Sequence, residues 1–275
     1  MRTTLKWLTF AAFAALAVPV HAQSPYAVAR VYADGNLSYE FGTVSLQTGA
    51  FSVISTNPGY ETIFGLGFGA NGILYGLSAD GTSTDPVLSE YRISTATGAL
   101  ALQKTFASTS LYGAGVNGVG VFTGLTNPTG IGNSTLFTLN PVTGTLVVGA
   151  ATTVNADGLV APDGLGNIYA SALNPQSSGS DGLVKITNAA TGASAPVGDT
   201  GISRVYTGFF SGGSLYAFGA DAGKAPGIYT LSTVTGASHL VAPVALSAIS
   251  AVLATALAPV PEPSPAPMRA GRPGL

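Results

Sequence analysis

The sequence contains no cysteine and few charged residues, and these two shortages exclude several classes of protein. Without cysteine there is no disulfide framework, no thiol catalysis and no cysteine-ligated metal. Charged residues make up only 8% of the chain, too few for long helices covered by salt bridges. The formal net charge of -2 leaves no basic surface for nucleic acid. A hydrophobic content of 46% argues against disorder.

Histidine is almost as scarce, which limits the catalytic and metal sites that the chain could build. The sequence has two histidines, and His21 lies in the N-terminal leader described below. The remaining one, His239, is interpreted as a surface residue of an outer strand. One histidine is too few for a metal site ligated by several histidines. A Ser-His-Asp triad needs a histidine as its base, and a surface position for His239 does not suit that role. We therefore expect no metal ion and no cofactor.

The chain is instead rich in turn residues, with 37 glycines and 17 prolines, and it repeats along its length. An aromatic residue recurs every 47 positions at Tyr75, Phe122, Tyr169 and Tyr216, and Tyr32 lies 43 positions before the first of these. Thr-Gly pairs recur with spacings of 44 to 49 residues. They are Thr48-Gly49, Thr97-Gly98, Thr143-Gly144, Thr191-Gly192 and Thr235-Gly236.

Each repeat predicts four short strands. An inner segment such as 63–68 precedes a glycine-containing turn such as Asn71-Gly72, which is a strong hairpin signal. The strand with the aromatic residue follows, then a strand with alternating apolar residues such as 136–139, and a fourth strand such as 146–148. Four strands in about 45 residues are typical of one blade of a β-propeller.

We therefore predict an all-β, five-bladed β-propeller of four-stranded antiparallel blades, with the first blade closed by a C-terminal strand. The first repeat lacks an inner strand, and the apolar segment 246–255 is left over after the last repeat. Pairing these two parts would also remove an open sheet edge. The alternatives are a solenoid or sandwich with the same strands, and a membrane helix at 244–260 in place of the closing strand.

Both ends of the chain differ from the repeats. Arg2 and Lys6 precede an apolar run at 7–18 and a Val20-His21-Ala22 cleavage pattern, so residues 1–22 are interpreted as a signal peptide. An uncleaved anchor helix is the alternative. The domain boundaries are then 1–22, 23–258 for the propeller and 259–275 for a proline-rich tail.

Two segments resemble known families. Val260-Pro261-Glu262-Pro263-Ser264 resembles the start of the PEP-CTERM sorting signal of exported bacterial proteins, which an exosortase processes. That resemblance implies export that is linked to surface or exopolysaccharide assembly. After cleavage of the signal peptide, the expected location is secreted, periplasmic or on the cell surface. No apolar helix follows Ser264, so we expect a degenerate or truncated signal without a stable membrane anchor; an unrelated proline-rich tail is the alternative. The segment 158–169 resembles a strand pair of NHL-type or lactonase-like propellers.

The loops after the second strands carry candidate binding residues. Four Asx residues share one repeat position and could ring one face to bind a cation or sugar hydroxyls: Asp80, Asn127, Asn174 and Asp221. Asx side chains also begin turns by bonding their own backbone, which is the structural alternative. Aromatic residues near the inner strands could stack on sugars or belong to the core: Tyr112, Tyr206, Phe209 and Phe210.

The catalytic candidates are fewer. Glu61, Asp157 and Arg204 lie near the first residues of predicted inner strands and could face the axis together, as a glycoside hydrolase or lyase would need. Solvated loop charges are the simpler interpretation. We favour an exported, non-catalytic surface or matrix protein that binds a glycan or an envelope protein and no nucleic acid, with the secreted hydrolase or lyase as the alternative.

Overall fold

The computed structural model describes residues 24–81, 86–107, 110–126, 133–173, 179–221, 226–244 and 249–258. One short 3-10 helix (Pro58–Thr62) is present, and the other elements are strands. No helix in these ranges is long and apolar enough to span a membrane. In chain order the strands are β1 (Tyr26–Ala33), β2 (Asn36–Val44), β3 (Phe51–Thr56), β4 (Ile63–Phe68), β5 (Leu74–Gly81), β6 (Pro86–Ile93), β7 (Leu100–Ala107), β8 (Gly113–Val116), β9 (Phe122–Thr126), β10 (Thr135–Asn140), β11 (Thr145–Ala151), β12 (Ala156–Pro162), β13 (Ile168–Leu173), β14 (Asp181–Asn188), β15 (Ala193–Asp199), β16 (Arg204–Ser211), β17 (Ser214–Ala220), β18 (Gly227–Leu231), β19 (Ser238–Pro243) and β20 (Ile249–Ala256).

The strands form several antiparallel sheets of four. Three sheets have the orders β20-β1-β2-β3, β12-β13-β14-β15 and β16-β17-β18-β19. The strands β4–β7 and β8–β11 form two further antiparallel sets of four, joined by a parallel contact of β4 with β8. We call these five sets units 1 to 5, in the order of β1, β4, β8, β12 and β16.

The joining of units 2 and 3 into one eight-stranded sheet differs from the separate sheets expected from the sequence. The contact between β4 and β8 rests on one registered pair, Gly65 and Ala114. A Cβ atom added to Gly65 would lie 3.0 Å from the Cβ of Ala114. The two strands pair because neither residue has a side chain large enough to hold the backbones apart.

Unit 1 is closed by the end of the chain, as the sequence predicted. The strand β20 pairs antiparallel with β1, from Tyr26 opposite Ala256 to Val31 opposite Ile249. The aromatic repeat falls in this unit at Tyr26 and not at Tyr32, because Tyr26 lies opposite Thr43 in β2 as Tyr75 lies opposite Arg92 in β6. Tyr75 is fully buried near the start of β5, whereas Tyr32 lies near the end of β1 and is 59% exposed. The equivalence of Tyr32 was wrong, since Thr43 and Arg92 each lie six residues before the turn glycine of their unit, which makes Tyr26 the counterpart of Tyr75.

In each unit, the strand at one edge of the sheet contacts the corresponding strands of two other units, which produces a closed cycle; in unit 1 this edge strand is β20. In this cycle β20 contacts β4, and the contacts continue through β8, β12 and β16 back to β20. We call these five the inner strands. Their glycines allow the close approach, since a Cβ atom at Gly113 would collide with the carbonyl of Gly158, and one at Gly158 with the carbonyl of Val205.

The hydrophobic core is divided among the five junctions between units. Each of five apolar clusters combines residues of two neighbouring units, as where Leu77 of unit 2 and Phe137 of unit 3 are both fully buried. Burying a side chain of this size contributes about 1.5–3 kcal/mol. The free energy that holds the sheets together therefore comes mainly from packing between units.

The Thr-Gly pairs are the turns between the third and fourth strands. In unit 2 the Ser94 hydroxyl accepts a hydrogen bond from the Thr97 amide at 3.2 Å, and Gly98 adopts a φ of +70°. A Cβ atom at Gly98 would also collide with Ser55 of unit 1. The other four turns place glycine against the outer strand of the preceding unit in the same way, at Gly49, Gly144, Gly192 and Gly236. The repeat is thus required by backbone conformation and by docking.

One acidic side chain interrupts the apolar pattern of the third strands. Glu90 lies four residues before its turn serine, where Phe41, Leu136 and Ile228 occupy the equivalent positions. Its side chain is 1% exposed, and Oε2 has no hydrogen-bond partner. Burial raises the pKa of Glu90 to about 7, against the opposing attraction of Lys104 and Arg92. A carboxyl group therefore lies within the packed part of unit 2.

Candidate binding funnel

All five inner strands run in the same direction, which gives the molecule two distinct sides. The inner strands β4, β8, β12 and β16 end at tight hairpins, such as the turn at 69–72, and we call this the funnel side. They begin on the opposite side, which we call the loop side. The C-terminal end of β20 also lies on the funnel side, because Thr255, Ala256 and Leu257 border the same cavity as the last residues of the other inner strands.

A cavity of about 680 Å³ opens on the funnel side and is lined by the last residues of all five inner strands. We call it the funnel. One residue from each inner strand illustrates the lining: Phe68, Val116, Pro162, Phe209 and Ala256. The walls are mainly apolar side chains and glycine backbone.

Glycine creates the space in this funnel. A Cβ atom at Gly67 would collide with the side chain of Val116, and one at Gly208 with the carbonyl of Tyr216. Gly120 has a φ of +76° and packs against the backbone of Ala70. Backbone amides and carbonyls consequently form much of the wall, and any larger residue at these positions would push the strands apart.

Three phenylalanine rings line the funnel, and aromatic neighbours hold each of them. The ring of Phe68 lies 5.8 Å from that of Tyr26, and Phe209 stacks on Tyr216 with centroids 5.9 Å apart. Phe210 packs against Tyr169 at 5.5 Å. All three phenylalanines are half-buried. Each ring therefore has a fixed orientation and still exposes part of its surface.

The polar side chains of the funnel are mostly engaged in their own turns. Asn117 Oδ1 accepts hydrogen bonds from the amides of Val119 at 3.1 Å and Val121 at 3.0 Å. The Thr255 hydroxyl lies 3.3 Å from that of Thr207 on the neighbouring inner strand. These groups fix the shape of the hairpins and of the funnel floor.

Asp163 is the one ionisable side chain among the described residues that line the funnel. Its Oδ1 accepts from the amides of Leu165 and Asn167, and its Oδ2 accepts from the Asn167 side chain at 2.6 Å. Burial acts to raise the pKa of Asp163, but these hydrogen bonds outweigh it and hold the pKa below its usual value. The carboxylate is therefore charged at neutral pH and committed to its turn.

A second cavity, of about 860 Å³, lies on the loop side of unit 4. Its polar lining is also bonded internally. The Ser180 hydroxyl donates to Asp199 Oδ1 at 2.6 Å, and this bond, with one from the Gly201 amide, lowers the pKa of Asp199. The buried Asp181 accepts from the Val205 amide at 2.7 Å. The Asp181 carboxylate therefore connects units 4 and 5, whereas Asp199 fixes the loop that follows β15.

Only part of the Asx ring predicted on the loop side lies within the described residues. Asp80 belongs to the end of β5, and Asp221 follows β17 directly and is half-buried. Both therefore occupy the loop side, at equivalent ends of second strands. Asn127 and Asn174 lie outside the described residues. The binding role of these four residues stays a prediction.

The three catalytic candidates all lie at the loop side, each on or just before a different inner strand. Glu61 is exposed on the 3-10 helix that precedes β4, Asp157 is the second residue of β12, and Arg204 is exposed at the start of β16. The strands β12 and β16 are neighbours in the cycle, whereas β4 is adjacent to neither. Among described residues, Glu61 acts electrostatically on Tyr39, whose pKa is raised first by burial and then by this charge.

The funnel residues were only partly foreseen. Phe209 and Phe210 were candidates from the sequence, whereas Phe68 had been placed in the inner segment 63–68, and Asn117 and Asp163 were not candidates. The signal that could have identified them is the run of alternating glycines before the first hairpin, at 65, 67 and 69. Within the described ranges, no group of three or more His, Asp or Glu side chains is arranged to hold a metal ion. His239 is exposed on the outer strand β19, as expected.

Comparison with known proteins gives distant structural likeness. No protein-family model matches this sequence, and no curated protein does. TolB from Acinetobacter baumannii superposes with a TM-score of 0.48 and 12% identity over 80% of this chain and 53% of TolB. A gluconolactonase from Xanthomonas campestris gives 0.45 and 15% over 82% of this chain and 78% of its own.

A puromycin hydrolase gives a TM-score of 0.42 and 16% identity over 82% of this chain. The chain spans about half the length of TolB, at 53%, and about a third of the puromycin hydrolase, at 36%. Likeness of this degree assigns no activity to the chain.

Proposed function

We propose that this chain is a five-bladed β-propeller in which each unit is one blade. Three features support this architecture: the closed cycle of inner strands, the five clusters between neighbouring units, and the pairing of β20 with β1. The last of these closes the ring, and closure protects the sheet edges that would otherwise recruit other strands. The parallel contact of β4 with β8 is then a close approach of two blades at the axis.

We further propose that the propeller binds a neutral carbohydrate in the funnel. The main support is a cavity to which all five units contribute. Its wall contains glycine backbone and three phenylalanine rings, each packed against a neighbouring aromatic ring. Ligand cavities typically have about 300–1,000 Å³ and an apolar lining with a few polar groups. Sugar rings have apolar faces that stack on aromatic rings, and their hydroxyls can bond exposed backbone groups.

Binding fits this lining better than catalysis does. Hydrolysis of a glycosidic bond uses two carboxyl groups at a set separation, one of which acts as an acid. The described lining has one carboxylate, Asp163, and its two oxygens are occupied by hydrogen bonds from its own turn. Its negative charge should also disfavour acidic sugars.

The location that we propose is outside the cytoplasmic membrane, on the cell surface or in the surrounding matrix. The basis is the leader at 1–22 and the sorting-like sequence at 260–264, both of which lie outside the described residues. An envelope protein is a further candidate partner on the same basis.

The test is thermal unfolding of the chain without its leader in the presence of neutral and uronate-containing oligosaccharides. A ligand at 100 times its Kd stabilises the folded state by about 2.7 kcal/mol. We expect neutral sugars to raise Tm and uronates to have a smaller effect. Absence of a shift with every neutral sugar would refute the proposal.

Two matched variants locate the site. Phe210→Leu alters the funnel, and Phe106→Leu alters an equally half-buried ring on the outer strand β7. We expect the sugar-induced shift, measured against each variant's own Tm, to fall only with Phe210→Leu. If Asp221→Ala abolishes the shift and Phe210→Leu does not, the ligand binds on the loop side.

A further inference from the structure

Each inner strand carries one residue at a shared register position, and we call these five residues the axial layer. Three of them are the extra residues of β-bulges: Phe64 in β4, Tyr206 in β16 and Leu253 in β20. In each case the two flanking residues pair with consecutive residues of the unit's second strand. A bulge turns a side chain away from the regular alternation of its strand. Gly113 and Gly158 occupy the same position in β8 and β12.

Side chains of the axial layer meet in one apolar cluster at the centre of the cycle. Leu253 belongs to the cluster between units 1 and 2, and Phe64 and Tyr206 pack against it, although Tyr206 comes from unit 5. On the opposite side, Cα atoms of β8 lie within 8 Å of β16 and of β20, which are not its neighbours in the cycle. Strands this close leave no channel along the axis that is wide enough for a sugar ring.

The funnel begins directly beside the axial layer. In four inner strands the first residue that lines the cavity comes two positions after the axial layer: Leu66, Gly115, Gly208 and Thr255. Thr255 is only 5% exposed, and its hydroxyl contacts that of Thr207. The funnel is therefore closed at its inner end and opens between the hairpins.

Volume and depth determine how much of a glycan the funnel can hold. A cavity of about 680 Å³ is in the range that encloses one drug-sized ligand, which corresponds to about two or three sugar residues. Phe68 is the last residue of β4 and Phe210 the last but one of β16, so both lie between the axial layer and the hairpin tips. Val119 marks such a tip, because it is 69% exposed and also lines the cavity. A sugar that stacks on these rings therefore lies inside the funnel.

We propose that the funnel recognises the end of a neutral glycan chain. The terminal sugar residue points towards the axial layer, the next residues stack on the phenylalanine rings, and the rest of the chain leaves between the hairpins. This inference rests on the proposed carbohydrate binding and adds which part of the glycan is bound. The closed inner end excludes a chain that threads the axis, and rings set below the hairpin tips disfavour a chain that lies across the opening.

The first test measures how Kd depends on chain length. Isothermal titration calorimetry uses the chain without its leader and malto-, cello-, xylo- and manno-oligosaccharides of two to six residues. We expect Kd to fall up to about three residues and to change by less than about twofold beyond that, because further residues lie outside the funnel. Binding that strengthens steadily through six residues would overturn end recognition and leave carbohydrate binding intact. If no neutral sugar binds, the proposed function fails, and end recognition fails with it.

The second test counts chain ends. An oligosaccharide that binds is compared with the parent polysaccharide at equal concentrations of sugar residues. We expect the polysaccharide to bind more weakly in proportion to its smaller number of ends, and partial acid hydrolysis of the polysaccharide to restore binding. Equal binding per sugar residue before and after hydrolysis would overturn the proposal.

A pair of matched variants tests contact with the inner end of the funnel. Thr255→Val replaces a hydroxyl next to the axial layer, and Thr105→Val makes the same change at an exposed position of the outer strand β7. We expect Thr255→Val to weaken disaccharide and hexasaccharide binding by the same factor, about fivefold for the loss of one hydrogen bond. Thr105→Val should leave both unchanged, and one cooperative melting transition verifies the fold of each variant. An effect of Thr255→Val on only one chain length, or on neither, would overturn the proposal.

Discussion

The buried carboxyl group of Glu90 should make the stability of this protein fall as pH rises through the weakly acidic range. The folded-state pKa of Glu90 is about 7, against an ordinary value of 4.5. Between these values the unfolded chain has lost the proton that the folded chain keeps, so deprotonation favours unfolding. A difference of about 2.5 in pKa, at 1.36 kcal/mol each, corresponds to about 3 kcal/mol.

The substitution Glu90→Gln removes this charge while preserving the shape of the side chain. Below pH 4.5 we expect the free energies of unfolding of the variant and the parent to depend on pH in nearly the same way. Between pH 4.5 and pH 8 the variant should gain about 3 kcal/mol in free energy of unfolding relative to the parent. Urea unfolding at a series of pH values measures the difference directly. Glu61→Gln, at an exposed position, controls for the loss of one negative charge.

A variant-minus-parent difference that stays constant from pH 4 to pH 8 would refute this reasoning. Lys104 supplies a second check, since its attraction lowers the pKa of Glu90. Replacing Lys104 with Met should raise the folded-state pKa of Glu90, so the loss of stability should still begin near pH 4.5 but continue to a higher pH. The substitution also removes the hydrogen bond from Lys104 Nζ to the Gly144 carbonyl at 2.7 Å, so the informative quantity is the pH dependence.

Three further predictions concern the structure that supports the funnel. Gly98→Ala should lower the free energy of unfolding by about 3 kcal/mol or more, and Gly72→Ala by about 1–2 kcal/mol. Both glycines have a left-handed φ, but only Gly98 is packed against another unit. Equal costs in urea unfolding would contradict the docking role. Val252→Ala, in the closing strand, should lower the free energy of unfolding by about 2 kcal/mol, whereas the exposed Val234→Ala should lower it by less than about 0.5 kcal/mol. An equally small loss for Val252→Ala would argue against closure by β20. Tyr60→Phe removes the buried hydrogen bond to the Gly98 carbonyl and should cost about 1 kcal/mol; an unchanged midpoint would contradict this.

The repeat and the closing strand could be predicted from the sequence because both are written in local patterns. The Thr-Gly turn needs glycine at a positive φ, which recurs at Gly49 with a φ of +69° and at Gly236 with a φ of +81°. The surplus strand at one end of the chain matched the missing strand at the other. Tyr32 was misassigned because the aromatic spacing was followed alone, whereas the 49-residue spacing of Gly49 and Gly98 leads from Tyr75 to Tyr26, as the strand pairing shows.

The funnel was not predicted because it depends on how strands distant in sequence converge. The glycines of β4 and β8 indicated close approach, but not which side of the inner strands would open into a cavity. The tight hairpins were judged structural because they are short and uniform. Asn117 and Asp163 do stabilise those hairpins, and the same residues line the cavity.

A cavity walled by glycine and turn residues places structure and binding under one constraint. A ring of five units leaves little space at its axis, and glycine at Gly67 and Gly208 relieves the crowding on the funnel side. The same glycines expose backbone groups and the sides of the phenylalanine rings. Because the described wall is neutral except for Asp163, charge would disfavour acidic ligands at the proposed site, while shape and aromatic stacking would select among neutral ones. The glycines that let the five inner strands approach each other therefore also shape the cavity in which we propose that a neutral carbohydrate binds.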